Sequence, residues 1–422
     1  MTRNRTSTAA PDLAALSRSL DGAGEVREAG PGDAVDGVPA AAVVRPTSIA
    51  GASAVLREAT GQGLVTVARG AGTALDWGCP PERVDLLLDV TRLNRLVEHE
   101  AGDLVVVAEA GLALRDLQEA VGEAGQELVA DVPRARYTAG STVGGALATA
   151  ASGPRRLQRL ALRDLVLGAT VVLADGTVAT SGGKVVKNVA GYDLAKIMTG
   201  SYGTLGIIVR AAFRLHPVRP ARAYVLRTGP LEEVADLARE VIGSQLAPAA
   251  VEIDRQAGSD EAVLAVLLEG TGDAVAARAA ETAALVGGAV GEEPAWWARL
   301  PVGDTTAKAT ATLMGVNALL RAARSAEQAH GAAVAVRGSA VGVLHAGITT
   351  PTAAALAGVV TRLRAAAPGP GEGTVTVLTA PAELRAGLDV WGPVGGLELM
   401  RGIKQRLDPG RNLAPGRFVG GI

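Results

Sequence analysis

The sequence predicts two folding units, an α+β unit followed by an α/β unit, and three observations carry that reading. Strand-like and helix-like segments alternate through the first part of the chain, strands linked by tight turns follow as far as Pro217, and beyond Pro220 strands separated by helices begin again. The 422 residues also exceed what one hydrophobic core usually covers, about 250 to 300 residues. We place the units at residues 1–218 and 219–390, with 391–422 returning to the first.

Each element follows from local pattern. Asp12 to Leu20 reads as a short amphipathic helix, and Ala40 to Pro46 as an apolar strand ended by its proline. Ser48 is an N-cap for a helix to about Thr60, and Gly61 and Gly63 stop it. Leu64 to Ala68 is a strand running into the glycine loop RGAGTALDWG. Leu86 to Val90 and Leu104 to Ala110 are strands, and Leu112, Leu114, Leu117 and Val121 mark a helix between Gly111 and Gly125. Asp164 to Ala174 reads as a strand, Asp175-Gly176 as a hairpin turn into Val178, and Ile207 to Leu215 alternates with the period of a strand buried on one face. In the second unit Tyr224 to Leu226, Ala249 to Ile253, Val263 to Leu268 and Thr374 to Thr379 are strands. Leu231 to Ile242, Asp273 to Leu285 and Ala354 to Ala367 are helices. Trp296 and Trp297 are expected as anchors where the units meet, and Leu397 to Leu407 is a basic amphipathic helix whose tail docks on the body.

Charge and composition exclude several function classes. Lys and Arg total 41 against 43 Asp and Glu, a net charge of −2, so no basic field attracts nucleic acid or an anionic membrane. No apolar run reaches the roughly 18 residues of a membrane span, and the N-terminus lacks the apolar core of a signal peptide. The one cysteine, Cys79, forms no internal disulfide and fits a reducing, cytoplasmic setting.

Three glycine-rich stretches, Gly70 to Gly78, Gly140 to Gly153 and Gly182 to Ile207, each adjoin a strand. Together they offer many backbone N–H groups and little side-chain bulk, which suits a pyrophosphate held by oriented backbone dipoles without cationic side chains. The first is no Rossmann fingerprint, since Leu75 follows Gly70 and Gly72 out of register, and no phosphate-binding G-x-x-x-x-G-K-[ST] loop occurs.

In this order and spacing RGAGTALDWG, GSTVGGALATAASG, RDLVLGATVVLADG and KNVAGYDLAKIMTGSYGTLGI resemble the FAD-binding domain of the vanillyl-alcohol oxidase and p-cresol methylhydroxylase flavoenzymes. The likeness runs from about Val38 to Val218. Within that superfamily AGLALRDLQEAVGEAGQELVADVP and APGRFVGGI resemble the FAD-binding subunit of bacterial glycolate oxidase. The resemblance implies a two-subdomain PCMH-type FAD-binding domain plus an α/β cap domain. It implies pyrophosphate on Gly70, Ala71, Gly72 and Thr73, the isoalloxazine and ribityl region on Thr142, Gly144 and Gly145, and backbone groups of Gly206 and Ile207 near the adenine. Thr73 stands near the place of the flavin-linking histidine of covalent members, so FAD is expected to be noncovalent.

The same resemblance implies oxidation of glycolate, a small 2-hydroxy acid, with a homologous flavin subunit and an iron–sulfur subunit as partners. A self-sufficient FAD oxidase or dehydrogenase of another hydroxy acid, alcohol or sugar lactone is the alternative, and a non-catalytic scaffold is a third. Related 2-hydroxy acid dehydrogenases bind a metal through paired histidines in the cap. Here His99, His216, His330 and His345 show no ligand spacing, so no metal is expected. His345, in GVLHAGI, is a candidate base or a structural residue, and Tyr192 a second catalytic candidate. Lys184, Lys187 and Asp193 are polar groups near the cofactor or, alternatively, a solvated strand edge and a helix N-terminal charge.

Overall fold

The computed structural model describes residues 10–183, 193–367, 369 and 371–422. Tyr192, Lys184 and Lys187 lie outside the described residues.

Among the described residues the first unit is built around two five-stranded sheets, with a two-stranded pair of Gln126–Glu127 and His216–Pro217 beside them. One runs in the order Gly24–Glu28, Val38–Pro46, Val84–Asp89 and Thr66–Arg69, the last three mutually parallel, with Ala34–Val35 paired to Val38–Pro46. The other is antiparallel throughout, in the order Val178–Gly182, Val166–Val172, Ile207–Arg214, Val105–Glu109 and Leu96–Glu100. Between them lies the helix Ile49–Gly61, capped by the Ser48 hydroxyl, which accepts from the Gly51 N–H. Val55 and Leu56 of this helix share a core with Leu86 and Leu88 of the first sheet and Val172, Ile207 and Val209 of the second. The Ser53 and Thr60 hydroxyls donate to the carbonyls of Gly176 and Ala174, tying the helix to the Asp175-Gly176 turn.

Two strand starts differ from the sequence expectation for local reasons. Asp164 belongs to a helical turn, Leu162–Leu165, because its carboxylate accepts from the Ala161 N–H and closes that turn; the strand begins at Val166. Leu64 and Val65 are buried but precede the strand Thr66–Arg69, since the Val65 N–H donates to the Asp85 carboxylate instead of a strand neighbour.

The second unit is one antiparallel sheet of eight strands. Its order is Ala289–Gly291, Ala221–Pro230, Glu261–Gly270, Ala250–Arg255, Ala333–Ser339, Val343–Thr349, Thr305–Ala311 and Gly373–Thr379. Val251, Ile253, Val334, Val336, Leu344, Ala307 and Val375 join one core with apolar residues of the helices Leu231–Gly243, Gly272–Val286, Gly315–His330 and Ala353–Ala365. Strand residues alternate between faces, so Glu252, Arg337, Ser339, His345 and Lys308 fall on the opposite, polar face.

The units are joined by ion pairs and by the chain end. Arg159 of the first unit donates to Glu269 of the cap sheet at 2.8 Å, both buried, and Arg155 pairs with Glu127 and Asp131 beside it. After the helix Leu397–Leu407 the tail crosses back to the first sheet. Thr66 donates to Asn412 at 2.7 Å, and Ala414 donates to Thr66 at 3.0 Å. Lys404 holds this return, donating to Asp408, Thr204 O and Leu413 O at 2.7 to 2.8 Å, while Asp408 accepts from the Asn412 and Leu413 N–H groups.

Candidate cofactor cleft and adjoining cavity

The parallel strand Thr66–Arg69 delivers its chain directly into the loop Gly70 to Leu75, and the loop bounds a cleft of about 520 Å³. The opposite wall is the start of the helix Val143–Ala148, whose N-cap Thr142 accepts from the Gly145 N–H. These walls are close enough to require glycine: a Cβ on Gly70 would sit 2.3 Å from Thr142 Oγ1. Gly72, with φ of 77°, takes a backbone conformation that side chains disfavour. A larger groove of about 1160 Å³ shares Gly70 to Thr73 and extends the cleft toward Asp89.

Charge holds the loop base. Arg69 donates to Asp33 at 2.8 Å and to Asp89 at 2.9 Å. Arg27, with Arg69 and the Gly30 N–H, holds the Asp33 carboxyl well below the usual carboxylate range. From the tail, Arg417 donates to the carbonyls of Leu75 and Trp77, both at 2.9 Å, and so fixes the far end of the same loop.

Gly70, Ala71, Gly72, Thr73, Thr142 and Gly145 therefore meet at one cleft. Gly144 does not line it: a Cβ there would lie 2.7 Å from that of Ala110, so this glycine permits close helix-to-strand packing. Gly206 lies beside Leu173 and Met198, and Ile207 is buried in the core between the sheets; neither lines this cleft. Asp193 caps the helix Leu194–Met198, accepting from Lys196 N, which is the structural alternative for that residue. Sequence reasoning passed over Arg136, Tyr202 and Arg417, all of which line the cleft. The one available signal was an arginine followed by a run of small residues in RARYTAGST.

A second cavity, about 450 Å³, lies between the units. Asp131, Pro133, Ser152, Gly153 and Arg156 of the first unit form one side, and Glu252, Arg337, Ser339 and His345 of the cap sheet the other. Register explains the grouping: Glu252 stands opposite Ser339, Arg337 opposite His345, and His345 opposite Lys308 on adjacent strands. The two cavities are neighbours along the chain, since Pro133 and Ser152 border this one while Arg136 and Thr149, three residues from each, border the cleft.

Burial sets the protonation states here. It pushes the Glu252 carboxyl up to about 8, and burial together with Lys308 holds the His345 imidazole down to about 3, so both are uncharged at neutral pH. Glu252 faces Ser339, whose hydroxyl partly offsets the upward push on the carboxyl, and among the described residues no cation is ion-paired with it. Arg337 is neutralised by Asp254 at 2.7 Å. Arg156 donates to Ser152 Oγ at 3.1 Å, and among the described residues neither it nor Lys308 has a carboxylate partner. The cavity thus holds the Arg156 guanidinium beside two neutral proton-carrying groups. Among the described residues no group of three His, Cys, Asp or Glu side chains could hold a metal ion, and no helix is long and apolar enough to cross a membrane.

A glycine loop and a helix start face each other across this groove, with Arg136 and Arg417 among its lining residues, and these residues fit the pyrophosphate of a flavin dinucleotide. Residues 40–182 match the model of the FAD binding domain family, and FAD is the cofactor these residues take. It is 33% identical over 211 residues to the D-lactate dehydrogenase of Archaeoglobus fulgidus, covering 50% of this chain and 46% of that protein. It is 38% identical over 140 residues to the glycolate oxidase subunit GlcE of Escherichia coli, covering 33% of this chain and 39% of that one. The chain spans less than half the length of these curated relatives. An alkyldihydroxyacetonephosphate synthase structure matches 90% of this chain and 76% of its own at a TM-score of 0.66 and 17% identity, a likeness of fold.

Proposed function

We propose that the chain is an FAD-dependent oxidoreductase of small 2-hydroxy acids, glycolate first among them, acting as the FAD-binding subunit of a complex with a homologous flavin subunit and an iron–sulfur subunit. The observation that carries the reading is the cavity between the units, where Arg156, without a carboxylate partner among the described residues, adjoins neutral His345 and neutral Glu252, next to the cofactor cleft. A 2-hydroxy acid brings one carboxylate, which suits Arg156, and one hydroxyl proton to be removed. When bound, FAD supplies the acceptor for the hydride leaving the hydroxyl-bearing carbon. His345 Nε2 or Nδ1 takes the hydroxyl proton, leaving a 2-oxo acid. An imidazole held near 3 is a weak base, but the incoming carboxylate adds negative charge to the cavity and raises it. Glu252, protonated, donates a hydrogen bond and adds no competing negative charge. Gly70, Ala71, Gly72, Thr73, Thr142 and Gly145 hold the cofactor in this reading.

Likeness to the D-lactate dehydrogenase and the glycolate oxidase subunit supports the substrate class, and the latter supports the complex. A self-sufficient enzyme is the second reading, favoured by a cavity lined from both units of a single chain. The test is anaerobic bleaching of the flavin in purified protein by glycolate, lactate and 2-hydroxyglutarate, alone and after co-expression with the two proposed partner types. Bleaching only in the co-expressed preparation supports the subunit role, and bleaching by the isolated chain the second reading. His345→Asn is expected to slow bleaching by about 10² to 10⁴-fold, the usual worth of a general base. Flavin that no hydroxy acid reduces in either preparation would leave a non-catalytic scaffold.

A further inference from the structure

We infer that Arg136, with Arg417 beside it, forms a cationic clamp for the FAD pyrophosphate, so that the cofactor's charge is met by two guanidinium groups as well as by backbone N–H donors. The inference rests on FAD as the cofactor but not on any substrate.

The observation is a buried guanidinium with no carboxylate bonded to it among the described residues; Asp76 acts on it only through space. Arg136 is 7% exposed, on the short helix Arg134–Thr138, with its guanidinium carbon 4.3 Å from the centre of the Trp77 ring. Its only acceptor among the described residues is the Thr149 hydroxyl, 3.3 Å from Nη2, and its Nε and Nη1 are buried with no partner. Arg417 is 3% exposed and, among the described residues, bonds only to carbonyls. Other arginines around the loop behave differently: Arg69 meets Asp33 and Asp89, Arg45 meets Asp89, and Arg385 meets Asp36. A buried ion whose donors lack a bonded opposite charge is disfavoured, and such groups are retained where something else supplies that partner.

What would bond it is fixed by position. Both guanidinium groups line the cleft bounded by Gly70 to Leu75, Thr142 and Gly145. Two guanidinium groups at a glycine loop suit the charged oxygens of a bridging diphosphate, which the isoalloxazine does not carry. Trp77 acts as the platform that keeps the Arg136 guanidinium flat and preorganised before the cofactor arrives. Side-chain charge is thereby added to the backbone donors of the sequence reading.

The test is Arg136→Met, read by fluorescence titration of apoprotein with FAD and, separately, with ADP, which carries the diphosphate but no isoalloxazine. FAD and ADP are both expected to bind about tenfold to a hundredfold more weakly, the worth of a charge-assisted hydrogen bond. The apoprotein itself is expected to melt no lower than wild type, because an uncompensated buried charge has been removed. Unchanged FAD affinity would overturn the inference. So would weaker FAD binding with unchanged ADP binding, which would move Arg136 to the isoalloxazine. If the methionine variant melts markedly lower, Arg136→Lys decides: restored ADP affinity supports the clamp, and affinity as poor as that of the methionine variant refutes it. Failure of the wild-type apoprotein to take up FAD at all would instead refute the cofactor.

Discussion

Replacing Glu252 by Gln isolates one buried carboxyl. Its ordinary value of 4.5 is pushed up to about 8 by burial in the cavity between the units. An acid whose value is raised by folding keeps its proton in the native state while the unfolded chain releases it. The native state then binds the extra proton between pH 4.5 and pH 8, and stability falls as pH rises through that window. At 1.36 kcal/mol per unit the loss reaches about 3 kcal/mol by pH 7 and roughly 5 kcal/mol by pH 8, as an upper bound. Glutamine has nearly the same shape and no proton to lose, so the Glu252→Gln protein lacks this slope. Any fixed cost of the new amide shifts its curve without tilting it. Urea unfolding of the FAD-loaded proteins at pH 5, 6, 7 and 8 measures the difference, and all other titrations cancel. The variant is expected to gain on wild type steadily across the series. A difference that stays flat from pH 5 to pH 8 would show that Glu252 is solvated or ion-paired, and the uncharged cavity would fall with it.

Gly144→Ala puts a methyl group 2.7 Å from the Ala110 Cβ and should cost about 1 to 3 kcal/mol in thermal unfolding. Asp408→Asn leaves Lys404 buried without its partner and should cost about 3 to 5 kcal/mol; limited proteolysis should then release the tail, and FAD with it, because Arg417 leaves the loop. Gly70→Ala forces Thr142 off its cap and should lower FAD retention on gel filtration by at least about tenfold, with only about 1 kcal/mol lost in stability.

The local elements were legible because local chemistry decides them. Ser48 caps its helix, Asp12 caps Leu13–Leu20 by accepting from Ala15 N, Asp175-Gly176 turns a hairpin, and Ile207 to Arg214 alternates as a strand. The glycine loop after a strand and the small residues before Gly153 pointed to the cofactor cleft, since a bare backbone at close approach leaves a mark in composition. Gly144 and Gly145 read alike in sequence, yet one packs on Ala110 and the other faces the cleft; one residue of helix rotation separates them.

What the sequence by itself determined is the run of elements and the glycine scaffold of an FAD-binding domain, because both depend on residues near one another in the chain. Only the tertiary structure decided which charges stand alone. Arg136 and Arg417 are 281 positions apart and share a cleft, and Arg156 meets Glu252 and His345 only where the cap sheet turns its polar face to the first unit. Whether a guanidinium is paired or a carboxyl is dry depends on neighbours brought together by sheet register and domain contact, and no local pattern encodes those distances.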